Sequence, residues 1–143
     1  MSSAATTRID TSIRQPEMKI TSPSGLLSVL VALGIIFIGV REFLYPAIGA
    51  SGFGVPLLDP RDADLLAIKA ARDVVSGLLV LAFVGLRNRV ALAYAIGVLT
   101  LIPIFDGLIV FRHAGWAFTP VILTHWGTAA FMLVIVALLR SGR

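Results

Sequence analysis

The 143-residue sequence contains no cysteine. Disulfide scaffolds, thiolate metal sites and thiol redox chemistry are therefore excluded. Charge is scarce too. Asp, Glu, Lys and Arg make up 14% of residues, against about 25% in ordinary soluble domains. There is no Ser-centred nucleophile elbow, no phosphate-cradling glycine loop and no dinucleotide fingerprint. His and carboxylate residues do not fall at metal-ligand spacings. No basic stripe interleaved with aromatics is present, so a nucleic-acid partner is not expected. With no cofactor motif in view, no cofactor is expected either.

What is abundant is apolar surface: 57% of residues are hydrophobic, and the mean hydropathy is +0.94. A chain this short cannot hide so much apolar area in one small core, because small domains leave much of their surface exposed. Membrane lipid is thus the first partner implied. Residues 1–24 are polar and rich in Ser, Thr and Arg, and read as a flexible tail. No apolar run follows Met1 closely enough for a cleaved signal peptide. Arg8 and Arg14 among Ser and Thr hint at a mitochondrial presequence, but Asp10 and Glu17 argue against one.

Four apolar segments follow, at about 25–45, 65–86, 90–111 and 118–139. Each has about 20 residues, the number a helix needs to cross a hydrocarbon core of about 30 Å. Backbone polar groups in lipid must be bonded within their own segment, so the expected fold is an all-α bundle of four transmembrane helices. Pro46, Gly49, Gly52, Gly54, Pro56 and Pro60 read as a broken connection after the first span, and Arg87-Asn88-Arg89 as a tight one after the second. Thr119-Pro120 reads as an N-cap with proline in the first turn. Lys69, Arg72 and Asp73 crowd the first half of the second span, which needs neighbours to shield them. Residues 140–143 form a short basic end.

Four spans put both termini on one side. That side then holds Arg8, Arg14, Lys19, Arg87, Arg89, Arg140 and Arg143, against Arg41, Arg61, Lys69, Arg72 and Arg112 on the other. The excess of cations places the termini in the cytosol. The pI of about 10.4 then reflects topology and anionic lipid. The location is a multi-pass membrane position, in the endoplasmic reticulum or plasma membrane rather than the mitochondrion.

The ionisable side chains gather at the non-cytosolic ends of the spans. Arg41 and Glu42 close the first, Lys69, Arg72 and Asp73 open the second, Asp106, Arg112 and His113 close the third, and His125 lies near the start of the fourth. Charge at membrane depth costs several kcal/mol unless paired or hydrated, and so marks a possible site. Helical rise puts Asp73, Asp106 and His125 roughly 12, 9 and 8 Å below that face, close to one level. Pro103 should kink the third span and free the Leu99 carbonyl nearby. Gly77, Gly107 and Gly127 should let helices approach closely.

Two readings stay open. In one, Asp106 and His125 are acid and base of a half-buried pocket for a lipophilic small molecule. Arg72 and Lys69 would then steady developing charge, and Asp73 would hold them. Glu42, Arg41 and Trp126 would touch the substrate. In the other, Arg72–Asp106 and Lys69–Asp73 ion pairs only fix helix packing. A lipid-binding protein, a packing subunit or a small-solute transporter would then follow, and four helices are few for transport unless copies assemble into a homo-oligomer.

Several short motifs carry a resemblance: Gly52-Phe53-Gly54-Val55-Pro56, Lys69 through Leu78, Pro103-Ile104-Phe105-Asp106-Gly107, and Thr124-His125-Trp126-Gly127-Thr128-Ala129-Ala130. Over about Leu26 to Leu139 the chain resembles small four-helix membrane proteins of unknown function from fungi and bacteria, broadly similar to the DoxX type. The resemblance implies the four-helix membrane fold and no shared chemistry. Some fungal relatives sit among secondary-metabolite genes, which implies a membrane-bound tailoring step by analogy only.

Overall fold

The computed structural model describes residues 17–142. Among them there is no strand, and one isolated bridge joins Glu17 to Asn88. The helices are α1 (Pro23–Leu44), α2 (Pro46–Phe53), α3 (Ala63–Gly85), α4 (Arg89–Leu99), α5 (Leu101–His113) and α6 (Pro120–Ser141), with a 3-10 turn at Pro60–Asp62. Most of the polar tail, residues 1–16, lies outside the described residues, as does Arg143. From Glu17 onward the chain is folded onto the bundle. Met18 is buried, and its N–H donates to the Arg87 carbonyl at 2.9 Å.

Local chemistry sets the ends. The Ser22 hydroxyl accepts from the Gly25 N–H, and Pro23 opens α1 where no N–H is needed. Pro46 forces the stop at Leu44, because the residue before a proline avoids helical geometry. Asn88 caps α4 by accepting from the Ala91 N–H at 3.0 Å, and Thr119 caps α6 by accepting from Ile122 at 3.4 Å. In the turn before α3, Arg61 Nη2 lies 2.6 Å from Asp59 Oδ2 and holds that exposed carboxyl below its usual range.

One further expectation needs correction. The stretch read as a broken connection contains α2. Pro46 starts that helix instead of preventing one, and Gly54, with φ of 99°, ends it in the left-handed region. The third span, Arg89–His113, is long and apolar enough to cross as one stretch, and the expected kink appears as a break at Thr100 between α4 and α5. Pro103 has no N–H to give the Leu99 carbonyl, so the ladder weakens there.

Three stretches are long and apolar enough to cross a membrane: Pro23–Leu44, Arg89–His113 and Pro120–Ser141. They point to a membrane protein. Leu26, Leu30, Leu33 and Phe37 repeat on one face of α1, each more than half exposed, an outward apolar stripe suited to lipid. The fourth expected span is not among the three. α3 has 23 residues, about 34 Å of helix, but Asp64, Lys69, Arg72 and Asp73 sit in its first half.

α3 runs antiparallel along α1 at close range. A Cβ on Gly39 would sit 2.7 Å from the Ala70 carbonyl oxygen, and one on Gly77 would sit 2.7 Å from that of Ala32. α6 packs against both α4 and α5. The apolar core (Val31, Ala32, Val80, Val84, Leu92, Ile96, Met132, Ile135, Leu139) fills one end of the bundle. The ionisable groups collect at the other.

Gly107 does meet a neighbour, the Trp126 ring, but Gly127 has nothing within 4 Å. It faces outward and makes no helix contact. Gly127→Ala is therefore expected to leave the fold intact and raise stability by up to about 1 kcal/mol through helix propensity. A lowered melting temperature in detergent would contradict that placement.

Candidate functional site

A cavity of about 260 Å³ opens at the polar end of the bundle. α1 contributes Ile35, Ile38, Arg41 and Glu42; α2 contributes Gly52 and Phe53; α3 contributes Lys69, Asp73 and Ser76. Leu99, Ile102, Pro103 and Asp106 line it from α4 and α5, and Thr124, His125, Thr128 and Met132 from α6. The helix break at Thr100 and Pro103 thus borders the cavity. The Ser76 and Thr128 hydroxyls donate to carbonyls one turn back on their own helices, at 2.8 and 2.9 Å.

Lys69 is the hub of the charges. Its Nζ donates to Glu42 Oε2 at 2.8 Å and to Asp73 Oδ2 at 2.7 Å. Glu42 and Asp73 are buried and Lys69 nearly so. The Lys69 ammonium also lies 4.9 Å from the centre of the Phe53 ring, a favourable cation–π distance. Arg72 is half exposed and more loosely placed, with Nη2 3.6 Å from Asp73 Oδ1 and 3.8 Å from Asp106 Oδ1.

Asp106 is the carboxylate with least compensation. The Arg72 contact is its one ion pair among the described residues, and it is too long for a hydrogen bond. Lys69, Asp73 and His125 lie within electrostatic reach. His125 Nε2 is 3.0 Å from the Phe53 carbonyl oxygen. A carbonyl only accepts, so this contact makes Nε2 the donor and leaves Nδ1 as the basic nitrogen of the neutral ring. The Phe53 ring meets the imidazole edge-on at 5.0 Å between centroids.

The structure brings Asp73, Asp106 and His125 to one cavity, together with Lys69, Glu42 and Arg41. Arg72 stands behind Asp106 without lining the wall. Trp126 does not line it either. Its Nε1 donates to the Ile104 carbonyl at 3.4 Å, and its ring joins Phe111 and Phe118 in an aromatic cluster. The anticipated Lys69–Asp73 and Arg72–Asp106 contacts are both present. The Glu42–Lys69 pair, between residues 27 apart in sequence, and Phe53 were not foreseen. Among the described residues, no group of three or more His, Asp or Glu side chains is arranged to hold a metal ion.

These features describe a small helical membrane protein with an amphipathic cavity at one end of its bundle. Residues 32–139 match the model of a domain of unknown function, DUF4267, and the chain belongs to that family. No curated protein and no solved structure matches the chain. The matched stretch includes every residue that lines the cavity.

Proposed function

We propose that the protein takes a lipophilic small molecule from the bilayer into this cavity and carries out a cofactor-free acid–base step on it. An isomerisation, cyclisation or hydration fits, and a secondary metabolite is the kind of substrate in view. Asp106 and His125 act as acid and base. In an isomerisation one takes a proton from the substrate and the other returns one, so substrate and product keep the same composition. Arg72 steadies negative charge beside Asp106. Lys69, held by two acids, positions Glu42 and Asp73. In this reading α3 is the fourth span, its charges turned to the cavity and to its neighbours, and both termini lie in the cytosol. The likeness to DoxX-type proteins and a place in the endoplasmic reticulum or plasma membrane belong to the same proposal.

The supporting observation is that Asp106 shares a cavity with His125 yet lacks the short partners that occupy Glu42 and Asp73. Groups left free at membrane depth are costly, and function is the usual reason for their presence. The test is metabolite profiling of a deletion strain complemented with wild type, Asp106→Asn or His125→Ala. Wild type is expected to clear an accumulating precursor, and each variant to lose 10²-fold or more of that turnover while still eluting as a folded protein. Full turnover in both variants would falsify these roles.

The hydrogen-bonded Glu42–Lys69–Asp73 triad favours a second reading, in which the charges only fix helix packing and the protein binds lipid or a partner subunit. Loss of folding in Asp106→Asn, with no metabolite accumulating in the deletion strain, is the outcome that reading requires.

A further inference from the structure

Arg41 lines the cavity, and its side chain makes no hydrogen bond or ion pair with any described residue. Its Nε is fully shielded and without a partner. A buried guanidinium donor left unmade is expensive, since hydrogen bonds to charged groups are among the stronger ones and their absence is penalised in full. The nearby acids make no hydrogen bond to it, although Glu42 lies within electrostatic reach. Glu42 Oε2 and Asp73 Oδ2 accept from Lys69, and Asp106 faces Arg72.

The missing side chain at position 52 lets the guanidinium lie against α2 at the cavity wall. Position 52 is glycine, and a Cβ there would come within 2.9 Å of Arg41 Nη2. Beyond it the wall turns apolar, with Ile35, Ile38, Leu99, Ile102 and Met132. The volume, about 260 Å³, lies just under the roughly 300 Å³ at which pockets for drug-sized ligands begin. A head group and the first part of a chain would fit, with the rest of the chain in lipid.

We infer that the cavity selects an anionic amphiphile, whose carboxylate or phosphate is held by Arg41 and whose apolar chain lies along the Ile35–Met132 wall. The inference rests on the cavity being a ligand site and names the class of ligand it takes. Arg41 supplies the missing complement, because a planar fork pairs with a carboxylate or phosphate through two parallel bonds. The anion is either a free acid or the head group of a membrane lipid.

The probes are radiolabelled decanoate, decanol and decyltrimethylammonium, with the full chain in nanodiscs of pure phosphatidylcholine. Decanoate is expected to bind at least tenfold more tightly than either of the others. Arg41→Gln should weaken decanoate binding about ten- to hundredfold and leave decanol unchanged. Gly52→Ala retains the guanidinium but crowds its Nη2 out of place, so it too should weaken decanoate in a protein that still elutes as folded. Adding phosphatidylglycerol separates the sources. Displacement of decanoate identifies a lipid head group, and indifference identifies a free acid, either way with the anion on Arg41. Equal decanoate affinity in wild type and both variants, or preference for decyltrimethylammonium, overturns the inference. No turnover enters this assay, so failure of the Asp106–His125 chemistry would leave its result untouched.

Discussion

Lys69→Met is expected to cost about 3–5 kcal/mol and to leave little folded protein in detergent. The substitution keeps an unbranched apolar stem of four atoms and removes the ammonium with its two hydrogen bonds. Two carboxylates then face each other without their shared cation. Glu42 has a side chain 3% exposed and Asp73 one 8% exposed, so water cannot replace the ammonium. A loss of this size is a large part of the 5–15 kcal/mol that typically holds a domain together. Glu42→Gln and Asp73→Asn are expected to cost less, because each leaves Lys69 bonded to the remaining acid. The triple variant Lys69→Met, Glu42→Gln, Asp73→Asn should recover much of the loss, since removing an ion network whole is far cheaper than breaking it. Melting temperatures from tryptophan fluorescence in one detergent, with elution volume as a check on folding, order the series. A Lys69→Met protein as stable as Glu42→Gln would show that the triad does not hold α1 to α3.

Much of this arrangement is written in one dimension. Runs of about 20 apolar residues announce helices at membrane length, and three of the four expected stretches have the length and hydropathy to cross. The Thr119-Pro120 and Asn88 caps follow from local hydrogen-bond chemistry that needs no tertiary partner. Rise per residue was enough to bring Asp73, Asp106 and His125 to a common level, and they line one cavity.

What escaped the sequence depends on distance or direction. Lys69 has an acid at i+4, and nothing in the linear chain says that it also reaches Glu42 on another helix. Trp126 follows His125 directly, but successive residues on an α-helix point about 100° apart. His125 therefore enters the cavity while Trp126 turns to Phe111 and Phe118. Phe53 belongs to a stretch whose Pro and Gly content suggested breakage. The same residues start and end α2, which carries the Phe53 ring and carbonyl to His125. Composition alone also left α3 ambiguous. Its charges keep it out of the three stretches apolar enough to cross, yet Lys69 and Asp73 are paired and sheltered in the bundle.

Gly39→Val should have the second large effect, because Gly39 stands where two helices touch beside the site. The two helices meet at Gly39 against Ala70 and, two turns along, at Gly77 against Ala32. Small residues at such points let helix backbones approach closely, and in lipid that packing replaces the hydrophobic drive between helices. A Cβ at Gly39 would meet the Ala70 carbonyl oxygen at 2.7 Å and the Val74 backbone nitrogen at 3.0 Å. Backbone atoms cannot rotate aside as a side-chain tip can, so α1 and α3 must move apart. Overpacking of this kind costs about 1–3 kcal/mol, and the branched valine should reach the upper end. Gly39 lies one turn from Glu42, and Ala70 adjoins Lys69, so separating the helices also pulls on the 2.8 Å Glu42–Lys69 bond. Gly39→Val should therefore lose stability and decanoate binding together. Gly34→Val is the matched control on the same helix, since a Cβ there has nothing within 4 Å, and it should leave both unchanged. An unaltered melting temperature in Gly39→Val would mean that α1 and α3 do not meet at this point, and the pairing of Glu42 with Lys69 would lose its geometric basis.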